Sequence, residues 1–124
     1  MNFEITQEEK YGLIIVKVEK LDTNYAPDLK SELVNLNKDG YKNIIIDLSS
    51  ARYCDSSGLS AILVGNRLCK QSEGSFVICG LQRAVSKLIN ISQLHTVLNI
   101  TPTVDEAVDL LLMEEVERGV NDGN

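Results

Sequence analysis

Two stretches of this chain are apolar at consecutive positions, Ile44-Ile45-Ile46 in "NIIIDL" and Phe76-Val77-Ile78-Cys79 in "SFVICG". A strand with one face in water alternates apolar and polar residues. An unbroken, β-branched run instead marks a strand covered on both faces, which places both stretches in the interior of a parallel pairing. Between them, "SSGLSAILVGNRLCKQSEG" reads as a helix ending near Gly74. Strand, helix, strand in that order is a right-handed crossover unit, so the chain is bound to the α/β class. The same order sets Asp55 to Gly58 at the carboxyl end of a central strand, where open α/β sheets keep their functional loops.

The flanking segments complete the layer. "FEITQEEKYGLIIVKVEKL" holds two β-prone runs broken at Tyr11-Gly12; Leu13, Ile15 and the alternating Val16 and Val18 suggest an antiparallel hairpin with a buried face. Ala26, Leu29, Leu33 and Leu36 recur at helical intervals, with Pro27 tolerable in the first turn and Gly40 as a stop. Val85, Leu88 and Ile89 mark a further helix, and "TVLNI" suits a short edge strand. In the last helix Thr103 and Glu106 form a capping box, and Val104, Ala107, Val108 and Leu111 make the buried stripe. The expected architecture is a mixed central β-sheet of four to five strands with about four helices packed mainly on one face. The domain is expected over 1–116, with 117–124 a flexible tail too poor in apolar residues to dock.

At 124 residues and 44% hydrophobic content, one domain can bury its core without metals or disulfides. Cys54, Cys69 and Cys79 are an odd number without paired short spacing, which predicts buried small hydrophobes rather than bridges or zinc ligands. The apolar runs are far shorter than the roughly 20 residues of a bilayer span, and "MNFEITQEEK" lacks signal-peptide order, so no membrane insertion and a cytoplasmic location are expected. A net charge of -6 opposes direct nucleic acid binding, which needs clustered Lys and Arg.

The segment "CDSSG" concentrates an acid, two hydroxyls and a glycine where a functional loop belongs. Hydrolysis would need a base behind the serine, and the single histidine, His95, stands in the polar turn "SQLHTV" with no G-x-S-x-G around Ser56 or Ser57. A phosphate cradle would need more glycines than Gly58, and Asp55 would repel a free anion. Capping by Asp55 or Ser56 accounts for one such residue but not three. A covalently attached phosphate gains the helix dipole while its bond holds it beside Asp55, so the corner suits a modification switch. In the following helix Leu59, Ile62 and Leu63 form one apolar side and Ala61, Val64 and Leu68 another; either neighbours cover both, or one side docks a partner beside the serines.

"NIIIDLSSARYCDSSGLSAIL" resembles the signature of the STAS domain, in which a buried strand with D-L-S leads to D-S-[ST]-G and an apolar helix. The likeness extends over nearly the whole chain, and single-domain proteins of this kind resemble bacterial anti-sigma factor antagonists. That resemblance implies partner switching: the unphosphorylated antagonist binds an anti-sigma factor serine kinase and so releases a sigma factor. Phosphorylation would fall on Ser56, which directly follows the motif aspartate, and a serine phosphatase would reverse it. Asp22, Asp55, Ser56, Ser57, Gly58, Leu59 and Ile62 are the implied partner-binding residues. ATP and magnesium would belong to the partners, leaving this chain without cofactor, metal or catalytic residues. The family also supplies accessory subunits of membrane lipid-transport ABC complexes and parts of sensory scaffolds, the competing reading. Two departures from the pattern are Glu19-Lys20-Leu21-Asp22 in place of G-E-[LI]-D, and Cys54 before the motif aspartate.

Overall fold

The computed structural model describes residues 1–122. In chain order the elements are β1 (Phe3–Gln7), β2 (Gly12–Val16), β3 (Lys20–Leu21), α1 (Ala26–Lys38), β4 (Ile44–Asp47), β5 (Tyr53–Cys54), α2 (Ser56–Gln71), β6 (Phe76–Cys79), α3 (Arg83–Ile91), a 3-10 turn (Leu94–Thr96), β7 (Asn99–Thr101) and α4 (Val104–Asp122). Five strands form one sheet in the order β1-β2-β4-β6-β7, while β3 and β5 pair separately as a short parallel ribbon. Within the described residues only the β1–β2 hairpin is antiparallel; β2, β4, β6 and β7 run parallel to one another.

The two apolar runs occupy β4 and β6, and alternate residues of each serve different cores. Ile44, Ile46 and Ile78 pack with Leu29, Leu33, Ile62, Cys69, Val85 and Ile89 on the face covered by α1, α2 and α3. Ile45, Val77 and Cys79 point the other way, onto Ala107 and Leu111 of α4. A single helix suffices on that second face because the flanking strands turn polar residues towards it. Glu4 stands opposite Ile15 and Thr6 opposite Leu13, and on the far side Asn99 stands beside Val77 and Thr101 beside Cys79. Directly paired residues share a face, so the apolar area narrows to the central strands.

β2 departs from the expected one-sided hairpin strand. Ile14 and Val16 enter the three-helix core while Leu13 packs towards α4, because β2 pairs with β4 and is itself an interior strand. In α1, Ala26, Leu29, Leu33 and Leu36 are all buried, Pro27 stands in the first turn, and Gly40 follows the helix at φ 101°, a conformation that favours glycine. Thr103 caps α4 through its Oγ1, which accepts the Glu106 N–H at 3.2 Å.

Within the segment 117–124, expected to fray, α4 continues to Asp122. Its anchor is polar rather than apolar. Arg118 Nη1 donates to Ser75 Oγ at 2.9 Å and Nη2 to Asn43 Oδ1 at 3.4 Å, while Asn43 Nδ2 donates to Glu115 Oε1 at 2.9 Å. Asn43 and Ser75 are themselves buried, at 2% and 3% exposure, and their paired polar atoms need these partners. The remainder of that expected tail, 123–124, lies outside the described residues.

Candidate functional site

The corner between β5 and α2 is assembled from two chain segments. Leu21 of β3 pairs with Cys54 of β5, and the Asp55 N–H donates to the Leu21 carbonyl at 3.3 Å. Asp55 then takes an extended conformation as N-cap of α2, and its Oδ1 accepts the Gly58 N–H at 3.0 Å. That bond satisfies one of the donors every helix start leaves open. On the facing segment Asp22 Oδ1 accepts the Asn24 N–H at 3.0 Å, and the Asp22 carbonyl accepts from Tyr25 and Ala26. Asp22 therefore shapes the turn that launches α1.

Gly58 is buried beneath this junction. A β-carbon there would collide with the Leu21 carbonyl oxygen and approach Cys54 Sγ to 2.8 Å and Leu21 Cγ to 3.0 Å. The motif glycine thus lets the first turn of α2 close against the β3–β5 ribbon. Ser57, half-buried, lies with its Oγ 3.3 Å from Thr23 Oγ1, joining the starts of α1 and α2. The backbone capping at this helix start is performed by Asp55.

Ser56 differs from all of these. It is the first residue of α2, it is exposed, and among the described residues its hydroxyl has no protein hydrogen-bond partner. It opens onto a shallow depression of about 310 Å³ lined with Thr23, Pro27, Lys30, Ser57 and Ser60. Leu59 and Ile62, placed by the sequence reading at a partner surface, are 7% and 0% exposed and belong to the core. In this structure both side chains are instead buried in the core shared by the sheet, α1 and α3.

A neighbouring surface was missed. Tyr53 is 46% exposed, with the Arg52 guanidinium 5.8 Å from its ring centre. Arg83, Ala84 and Lys87 of α3 join them around a second depression. α3 comes from the far side of β6, so local sequence around the serines carries no signal of this basic, aromatic rim. The absent turn glycine needs no compensation: among the described residues only Glu73 and Gln93 are non-glycine residues at positive φ. Glu19 instead receives the Arg52 and Tyr53 N–H groups on its carbonyl.

Cys54 is half-buried at the same corner, and burial, followed by the charge of Asp55, pushes its thiol up to about 12. A thiol held protonated is a poor nucleophile. His95 lies exposed in the 3-10 turn, hydrogen-bonded to neither serine. Among the described residues no group of three His, Cys, Asp or Glu side chains could hold a metal, and no helix is long and apolar enough to cross a membrane.

Comparison with known proteins places this corner in context. The STAS domain model matches residues 2–107. The anti-sigma F factor antagonist of Paenibacillus polymyxa is 28% identical over 118 residues, covering 94% of this chain and 98% of that protein. An anti-sigma factor antagonist from Mycobacterium paratuberculosis shares the fold with a TM-score of 0.75 at 20% identity, over 88% of this chain and 92% of the other. The phosphorylated form of the Bacillus cell fate determinant SpoIIAA superposes with a TM-score of 0.68 at 19% identity, over 86% and 96% of the two chains.

Proposed function

Because this chain belongs to the STAS domain family and is similar in sequence to anti-sigma factor antagonists, we propose that it is a phosphorylation-controlled partner switch. In the unphosphorylated state it binds a serine-kinase anti-sigma factor in the cytoplasm and releases a sigma factor. Phosphate on Ser56 ends that binding, and a serine phosphatase restores it. The observation that carries this reading is a division of labour within four consecutive residues. Asp55 caps the helix, Ser57 meets Thr23 and Gly58 fills a place too tight for a side chain, whereas the Ser56 hydroxyl is left to the surface. That a relative of the same fold is described in a phosphorylated form agrees with it.

A phosphate ester at the first helical position would sit near the positive end of the α2 dipole and the open N–H groups of the first turn. The fold need not rearrange to accept it. A partner pressed against the same corner would instead meet about two added negative charges beside Asp55, where it had met a neutral hydroxyl. The chain itself supplies a substrate hydroxyl and a binding surface; the phosphoryl transfer is the kinase's chemistry. Incubation with the cognate kinase, ATP and magnesium should add one phosphate, located on Ser56 by peptide mapping and lost in Ser56→Ala. Phosphate on Ser57, or undiminished labelling of Ser56→Ala, refutes the assignment.

A further inference from the structure

Helix α4 has two apolar faces, and the fold uses one of them. Val104, Ala107, Val108 and Leu111 lie on the sheet. On the opposite side Leu112, Met113, Val116 and Val120 are 38%, 61%, 66% and 60% exposed. Steps of three and four residues align them in one stripe along the helix. Scattered surface apolar residues need no explanation, but a contiguous exposed stripe calls for one.

The charges around the stripe define what can cover it. Leu112, Met113 and Val116 share a shallow depression with Asp109 and Glu117. Asp105 and Glu106, exposed in the first turn, fall on the same outward side by helical periodicity. The one basic residue of α4, Arg118, is turned inward onto Ser75 and Asn43. A second copy of α4 fits poorly in either direction. Parallel pairing sets carboxylates against carboxylates, and antiparallel pairing lays Asp105, Glu106 and Asp109 on Val116 and Val120, which buries charge on apolar surface. An anionic bilayer is repelled by the same residues.

We propose that the outward face of α4 is a docking site for a basic amphipathic helix of a partner protein. Apolar anchors at helical spacing would cover Leu112, Met113 and Val116, and Lys or Arg would face Asp109 and Glu117. The site lies across the sheet from α1, α2 and α3, so its occupant does not share the Ser56 corner, and it does not depend on the switch being correct.

The test uses the full chain and a synthetic amphipathic peptide with Leu at heptad a and d positions and Lys elsewhere, beside a Glu-for-Lys version and a scrambled Lys peptide. Titration calorimetry should detect binding of the amphipathic Lys peptide alone. Met113→Ser/Val116→Ser should weaken it by roughly tenfold or more, as loss of central apolar anchors does, with unchanged circular dichroism. Asp109→Lys/Glu117→Lys should reverse the preference towards the Glu peptide. No binding, equal binding of the scrambled peptide, or indifference to both double variants overturns the proposal. Concentration-dependent dimerisation abolished by Met113→Ser/Val116→Ser, without binding of the Lys peptide, assigns the face to a second copy and overturns it equally.

Discussion

At Ser56 the proposed covalent switch and the fold are separable, because the hydroxyl that would carry phosphate bonds to nothing among the described residues while its neighbours do the structural work. A negative charge there gains about 0.3 to 1 kcal/mol from the helix dipole, offset in part by Asp55. Ser56→Asp is therefore expected to unfold at nearly the wild-type temperature while binding the proposed anti-sigma partner more weakly by about 2 to 5 kcal/mol, the cost of an uncompensated charge in an interface. Thermal unfolding and partner titration read the two effects separately; early unfolding would make Ser56 structural. Asp55 and Gly58 should behave in the opposite sense. Asp55→Ala removes the cap from Gly58 N and should cost about 0.5 to 2 kcal/mol. Gly58→Ala forces a methyl group against the Leu21 carbonyl and Cys54, and should cost about 1 to 3 kcal/mol, as overpacking does. Denaturant titration of both variants checks these values.

Among the elements, α4 is tied down by side-chain contacts distant in sequence. Arg118 reaches Ser75 across 43 positions and Asn43 across 75. Arg118→Ala should cost about 1 to 3 kcal/mol by removing charged hydrogen bonds from buried partners, measured by denaturant titration. The same cluster sets an acid response. The hydrogen bond from Asn43, with Lys42 and Arg118 nearby, holds the Glu115 carboxyl below its ordinary range against the opposing effect of burial. Its stabilisation is present above the unfolded carboxyl pKa and lost as pH falls through the lower folded value. The stability gap between wild type and Glu115→Gln should consequently close as pH drops below about 4.5, the ordinary value. Periodicity revealed the apolar stripes of α1 and of inner α4, and continuous apolar runs revealed β4 and β6. Each of these signals is local. Apolar spacing could not say that Leu59 and Ile62 are buried in the core, since a stripe facing a neighbour and a stripe facing a partner have the same sequence. Nor could composition show that Arg118 anchors a polar chain end, or that Arg83 and Lys87 join Arg52 and Tyr53 around one depression.

Across the whole molecule, the three thiols link the core to pH in one direction. Cys69 and Cys79 are fully buried on opposite faces of the sheet, and Cys54 is half-buried at the corner. Burial pushes each thiol up to about 12 from an ordinary value of 9.0, aided at Cys54 by Asp55 and at Cys79 by Asp47. A group whose folded pKa lies above its unfolded value contributes stability that is intact below the unfolded pKa. As pH rises, the unfolded chain releases protons that the native state retains, and stability declines. The window is therefore about pH 9 to 12, and the raised phenol of Tyr11 adds to it from about pH 10. Urea midpoints are expected to be flat from pH 7 to about 8.5 and to fall steadily above about pH 9. Cys69→Ala, although less stable at neutral pH through its cavity, should show a shallower alkaline decline than wild type. Thiol reagents add a kinetic arm to the same measurement. At about pH 8 a folded thiol with a pKa near 12 is almost wholly protonated, so Cys69 and Cys79 should react only through opening of the core, and both at similar rates. Cys54, at the edge of the β3–β5 ribbon, should react first through local opening. Rapid labelling of Cys69 in native buffer, or a stability profile that stays level through about pH 11, would show that the core does not hold these thiols protonated.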